Sequence, residues 1–219
     1  MAKGISKQDI DEKLQREEWI AEEQWHIENA TTNLSDFMQP VVVGEEVKNT
    51  EVFSPAGEAQ MLADLWESVP ALILTGSLSC PPARRFNAVA NELRKEFGAQ
   101  VNVVVLYLID AHPNGDLCPY TGTDWLTSDN EAAGILVRQP VDLEQRIELA
   151  SRYIEHLGLE VPVVIDNMDN AAWAALGRWP NMAVLVGNDG NCIFWQDWVS
   201  PDELRKLLAD HLAGAHDYG

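Results

Sequence analysis

Apolar positions along the chain follow two rhythms, and their alternation predicts a layered α/β arrangement. Apolar runs at Ala71 to Thr75, Val101 to Ile109 and Val161 to Asp166 read as strands, the second of them as a central strand covered on both faces. Between them the spacing turns helical. Phe86, Val89, Ala90, Leu93 and Phe97 predict a helix from Pro81 to about Phe97 that stops at Gly98. Leu143, Ile147, Ala150 and Ile154 predict a second over Asp142 to Leu157, stopped by Gly158, and Asn170 to Leu176 a short third. Met182 to Val186 and Cys192 to Trp198 read as a hairpin around Asn188-Asp189-Gly190, followed by a closing helix from Pro201 to Leu212. Upstream, Val41 to Val43 and Val47 to Phe53 suggest two short strands, and Glu58 to Glu67 a helix.

Lys7 to Asn29 carries an amphipathic stripe of Ile10, Leu14, Ala21 and Trp25 outside this alternation. It either packs on its own domain or serves as a docking or dimerisation arm, the latter giving a homodimer. The expected division is residues 1–38 as helix and linker and residues 39–219 as one α/β domain.

Charge narrows the partners. With 35 acidic and 15 basic residues among 219, a formal net charge of −20 repels a phosphate backbone, so nucleic acid is not expected. No apolar run approaches the roughly 20 residues that span a bilayer, and the N-terminus lacks a secretory pattern, which leads to an expectation of a cytoplasmic protein with no membrane contact. Cys80, Cys118 and Cys192 form no C-x-x-C pair, so neither a metal site nor a disulfide framework is expected.

Thiol chemistry remains. In Leu74-Thr75-Gly76-Ser77-Leu78-Ser79-Cys80-Pro81-Pro82, a strand breaks at Gly76 and a helix begins at Pro81, which puts Cys80 at a helix N-terminus. Backbone N–H groups and the helix dipole there favour a thiolate, and Arg84 and Arg85 add positive charge one turn on. The alternative is a buried structural cysteine. The strand ending at Ile109 delivers Asp110 and His112 to the sheet edge where open α/β sheets place their chemistry. Asn114 to Gln139 is long and irregular, and Cys118, next to Gly115, Asp116 and Pro119, is expected to be exposed; from there it could resolve an oxidised Cys80. Cys192 alternates into an aromatic strand and reads as core.

The order strand, helix, strand, helix, strand, hairpin, helix, with a cysteine after the first core strand, resembles the thioredoxin fold in its extended, peroxiredoxin-like form: a central mixed sheet flanked by helices. Three motifs sharpen this. Gly76-Ser77-Leu78-Ser79-Cys80-Pro81-Pro82, Tyr107 to Pro113, and Asp166-Asn167-Met168-Asp169-Asn170 resemble, in order, motifs of the iodothyronine deiodinase family, with cysteine at the selenocysteine position. The match covers about Val41 to Leu212. The family's second histidine corresponds to the Val137-Arg138-Gln139 region, and its substrate arginine to Asn181.

The resemblance implies a thiol oxidoreductase with Cys80 as nucleophile, His112 as proton donor or relay, Asp110 its neighbouring acid, and Ser77 in the local hydrogen-bond network. Arg84, Asp166, Asp169 and Asn170 would support the site. The substrate would be a small halogenated aromatic or a peroxide, with no bound cofactor and an external thioredoxin- or glutathione-like thiol as reductant. Thioredoxin-like folds carry a cis-proline before the final hairpin, which implies a cis bond at Trp179-Pro180. Two other readings are a peroxiredoxin-like thiol peroxidase, for which Ser77 is in place but Ile73 stands where a proline is usual, and a non-catalytic interaction module.

Overall fold

The three apolar runs become the middle of one sheet. The computed structural model describes residues 39–214. Strands β1 (Glu51–Phe53), β2 (Ala59–Met61), β3 (Ala71–Gly76), β4 (Asn102–Tyr107), β5 (Val163–Asp166), β6 (Met182–Val186) and β7 (Cys192–Asp197) lie in the order β2-β1-β5-β4-β3-β6-β7. β3, β4 and β5 run parallel, while β1 and β6 flank them antiparallel and β7 pairs antiparallel with β6. Every residue of β3, β5 and β6 is buried, as is all of β4 except Asn102, which is why these strands carry no polar alternation. This is the mixed thioredoxin-like sheet flanked by helices.

Register places the chemistry. Gly76 lies opposite Tyr107 in the parallel β3–β4 pair, so the segments that leave them toward Cys80 and His112 emerge at the same end of the sheet. The antiparallel pairing of Leu74 with Ala183 brings Asn181 to that end as well.

The predicted helix from Pro81 to Phe97 is two helices, α1 (Pro81–Phe86) and α2 (Val89–Phe97). Asn87 interrupts them. Its fully buried amide donates to Thr75 O (2.9 Å) and Tyr153 Oη (3.0 Å) and accepts from Asn181 Nδ2 (2.9 Å), which plugs the end of β3 with a polar group that a continuous helix would point elsewhere. Gly76 is needed here for space: a Cβ on it would lie 2.6 Å from Ala83 Cβ and from the Tyr153 hydroxyl.

Other expectations are corrected. Val41 to Val43 form no strand, and only Glu51–Phe53 of the second predicted strand does. Residues Ala59–Met61, expected in a helix, pair with β1, and Leu62–Trp66 follow as a 3-10 turn held by Met61 N–H on Asp64 (2.9 Å) and Ala63 N–H on Asn49 (2.9 Å). The irregular loop before Gln139 contains a short helix, α3 (Ser128–Ala133). Helix α4 (Leu143–Leu157) has its expected ends, capped by Asp142 on Gln145 N–H (2.9 Å) and by Gly158 at φ 59°. Its inward face is rotated: Arg146, Leu149, Ala150 and Tyr153 are buried, because the Arg146 and Tyr153 heads reach polar partners inside, and Leu143, Ile147 and Ile154 sit at the margin.

The Trp179–Pro180 bond is trans, against expectation. Here the chain turns on Gly177 (φ 107°) and Arg178 (φ 64°) and docks on β3 through Met182 N–H on Thr75 Oγ1 (3.0 Å) and Asn181 Nδ2 on Thr75 O (3.1 Å), an approach that the ordinary trans proline satisfies. Helices α5 (Ala171–Ala175) and α6 (Pro201–Leu212) follow expectation closely. The predicted N-terminal helix, with its docking and dimer reading, lies outside the described residues. Among the described residues no helix is long and apolar enough to cross a membrane.

Candidate functional site

Cys80 is the N-cap of α1, with Pro81 at the first helical position. Its own N–H donates to Ser77 O (3.2 Å), and its carbonyl accepts from Arg84 N–H (3.1 Å). The side chain is wholly buried. Arg84, partly buried, folds back so that Nη1 donates to Leu78 O at 2.6 Å. Burial lowers the guanidinium pKa, and Cys80 is the largest of the charges that raise it, so the cation lies in electrostatic reach of the thiol. Leu78 also lines a surface hollow of about 230 Å³ shared with Ile135, Arg152, Glu155 and His156.

Four side chains, Tyr107, Asp110, Ser79 and Ser77, tie the cysteine loop to the end of β4. Tyr107 Oη accepts from Leu78 N–H (3.2 Å) and donates to Asp110 Oδ2 (2.8 Å). Asp110 Oδ1 accepts from Ser79 N–H (3.0 Å), and the Ser79 hydroxyl also bonds the carboxyl while accepting His112 N–H (3.1 Å). The Ser77 hydroxyl accepts from Ala111 N–H (3.2 Å). Asp110 thus faces the cysteine loop and not the far side of the sheet. Burial raises its carboxyl above the ordinary range, opposed by the Ser79 and Tyr107 hydrogen bonds and the Arg146 charge. Burial and the Asp110 charge push the Tyr107 phenol well up. His112 is nearly buried, its ring edge-on to Trp125 with centroids 4.4 Å apart.

The third motif serves a helix start. Asp166, fully buried, accepts from Ala172 N–H (3.0 Å) and Trp173 N–H (2.9 Å), and Asp169 accepts from Ala171 N–H (3.1 Å). Asn170 is the N-cap in the left-handed region at φ 57°. Burial raises Asp166 to about 6 against those N–H donors.

Cys118 is buried, contrary to the exposed position expected of it. A tight turn encloses it, with Cys118 N–H on Thr123 O (2.8 Å) and Gly122 N–H on Cys118 O (2.9 Å), and burial raises its thiol. Burial, with the charges of Cys80 and Cys118, pushes the Tyr120 phenol well up. Cys192 is core, raised to about 11 by burial.

Sequence reasoning missed Ser79, Tyr107, Gln139, Asn130 and Arg146. Gln139 clamps the Asp110 backbone on both sides, accepting its N–H (3.3 Å) and donating to its carbonyl (2.6 Å). The fully buried Arg146 donates to Asp166 O (3.2 Å) and Asn167 O (2.5 Å). Its signal was present as an arginine in helical phase with Leu149, Ala150 and Tyr153. Among the described residues no three His, Cys, Asp or Glu side chains gather as a metal site would require.

Comparison with known proteins gives the family and the fold. The family model for iodothyronine deiodinase matches residues 11–205. A thyroxine 5-deiodinase of Sparus aurata is 30% identical over 189 residues, covering 82% of this chain and 64% of that protein. A type II iodothyronine deiodinase of Fundulus heteroclitus is 28% identical over 142 residues, covering 64% of this chain and 47% of that one. The chain therefore spans less than two thirds of the length of these curated relatives. In fold it is similar to peroxidoxin BcpB of Mycobacterium tuberculosis, with a TM-score of 0.54 at 12% identity over 81% of this chain and 99% of that one.

Proposed function

The chain belongs to the iodothyronine deiodinase family, and on that premise we propose that it is a thiol oxidoreductase whose nucleophile is Cys80. One observation carries the reading. Cys80 stands at the N-cap of a helix while the residue before it, Ser79, bonds the Asp110 carboxyl and the His112 backbone N–H, so the thiol and two candidate proton carriers are tied together by one residue.

The substrate class is a small halogenated aromatic or a hydroperoxide, electrophiles that make the same demand on the site. With the first, the Cys80 thiolate takes the halogen, an S–X bond forms as C–X breaks, and the aryl carbon gains a proton. With the second, the thiolate takes the terminal oxygen, O–O breaks, and the departing alkoxide gains the proton. His112 supplies that proton, and Asp110, linked through Ser79 and Tyr107, holds its segment in place. An external thiol of thioredoxin or glutathione type then displaces halide or water and forms a mixed disulfide. A second thiol releases Cys80 and leaves with the disulfide, so two thiols supply the two electrons. Recycling is assigned to an external thiol because Cys118 is buried within its own turn. Cys80 has no exposed surface, so substrate entry requires the neighbouring loop to open.

The test is turnover of an iodophenol and, separately, of cumene hydroperoxide with dithiothreitol as reductant, read as iodide released and peroxide lost. Cys80→Ser should abolish both, His112→Asn should lower both by roughly a hundredfold, and Cys118→Ser should leave both unchanged. Turnover that survives Cys80→Ser, or wild-type protein inert toward both electrophiles, overturns the reading.

A further inference from the structure

We propose that Asn130 is a positioning residue of the thiol site, fixing the Cys80 loop against the His112 loop; this rests on the oxidoreductase reading above. Asn130 lies in α3, between β4 and α4, and its side chain is fully buried. Nδ2 donates to Ser79 O at 2.9 Å and to His112 O at 3.4 Å. Ser79 O belongs to the peptide whose nitrogen is that of Cys80, so one amide group holds the nucleophile's own peptide and the backbone of the proton donor.

The direction of the amide is dictated by its partners. Both are carbonyls, which can only accept, so Nδ2 must face them. The opposite atom, Oδ1, is buried and without a hydrogen bond. A residue kept only to fill space would avoid that cost with an apolar side chain of similar size, so the two donated bonds are what the position requires. The helix carrying Asn130 is itself secured on both flanks. Thr127 Oγ1 accepts Asn130 N–H (3.2 Å), and Asp129 pairs with Arg85 of α1 at 3.3 Å. Together α3, α1 and the two loops form a closed frame around the cysteine.

A second link between the loops, His112 N–H on Ser79 Oγ, leaves the His112 carbonyl side unconstrained. Asn130 supplies that missing restraint. Without it the imidazole can swing relative to the sulfur, which slows a step that needs both groups and spares a step that needs the thiolate alone.

The experiment compares Asn130→Asp, isosteric but lacking the two donors when ionised, with Asn130→Ala as the second variant if the first does not fold. Two rates are measured on each: reduction of cumene hydroperoxide, which consumes a proton at the leaving oxygen, and alkylation by iodoacetamide, whose leaving iodide needs none. Reduction should fall about tenfold or more while alkylation changes less than about twofold. Parallel loss of both, or no loss of either, overturns the proposal. An activity-free arm follows the His112 ring through its pH titration by NMR, assigned with His112→Asn. A displaced titration midpoint in Asn130→Ala, which adds no charge of its own, supports positioning even if wild-type turnover is absent and the oxidoreductase reading fails, and an unmoved midpoint there overturns positioning even if that reading holds.

Discussion

Cys80, Cys118 and Cys192 are all buried, so exposure does not rank their reactivity and local charge must. Of the three, only Cys80 stands at a helix N-cap, with the Arg84 cation in electrostatic reach. Iodoacetamide at neutral pH should therefore label Cys80 first, with Cys192, held near 11 by burial, labelled only on unfolding; peptide mapping by mass spectrometry checks the order, and label appearing first on Cys118 or Cys192 contradicts it. The same crowding sets the tolerance of Gly76. Ala there would drive a methyl against Ala83 and the Tyr153 hydroxyl, and overpacking of this kind should cost about 2–3 kcal/mol in urea unfolding. The places of Cys80, Asp110 and His112 were legible in the sequence because each stands at a strand end or a helix start, positions that local punctuation marks, while Ser77 entered only through the family resemblance. Ser79, Tyr107, Asn130 and Arg146 were not, because what defines them is a partner that sequence spacing does not reveal. Asn130 meets Ser79 across 51 residues and Tyr107 meets Leu78 across 29. The exposure expected of Cys118 failed for the same reason: polar neighbours in the sequence said nothing of the turn that closes over it.

Elements with their own caps and stops were read nearly to the residue, as with α4 between Asp142 and Gly158. Elements decided by distant docking were not. The break between α1 and α2 exists because Asn87 is drawn to Thr75 and Asn181, and no periodicity in residues 81–97 announces that. The start of α5 carries a measurable signature. Asp166 titrates at about 6 in the folded chain against about 3.9 unfolded. Between those values the folded chain holds a proton that the unfolded chain has released, so stability is greatest at the acid end of the window and declines as pH rises through it. The full effect is about 3 kcal/mol. Urea unfolding of wild type from pH 4 to pH 7 should show this decline, and Asp166→Asn should remove its share, leaving the trend of the same sign that buried Asp110 contributes.

Over the whole molecule the dominant electrostatic fact is repulsion. Thirty-five acidic residues face 15 basic ones, and the ion pairs that soften this among the described residues lie at the surface, such as Arg205 with Glu92 and Glu96 and Arg138 with Asp116. Pairs of that kind are worth less than about 1 kcal/mol each. Screening should therefore relieve more repulsion than it weakens attraction, and the urea midpoint should rise between about 10 mM and about 0.5 M NaCl at unchanged slope; a falling midpoint would mean that the ion pairs dominate. The edge-on contact of His112 with Trp125 has an optical consequence. A protonated imidazole against an indole quenches its fluorescence, so the emission of Trp125, isolated as the difference between wild type and Trp125→Phe, should dim as His112 takes up its proton. The site would then report its own protonation state as light.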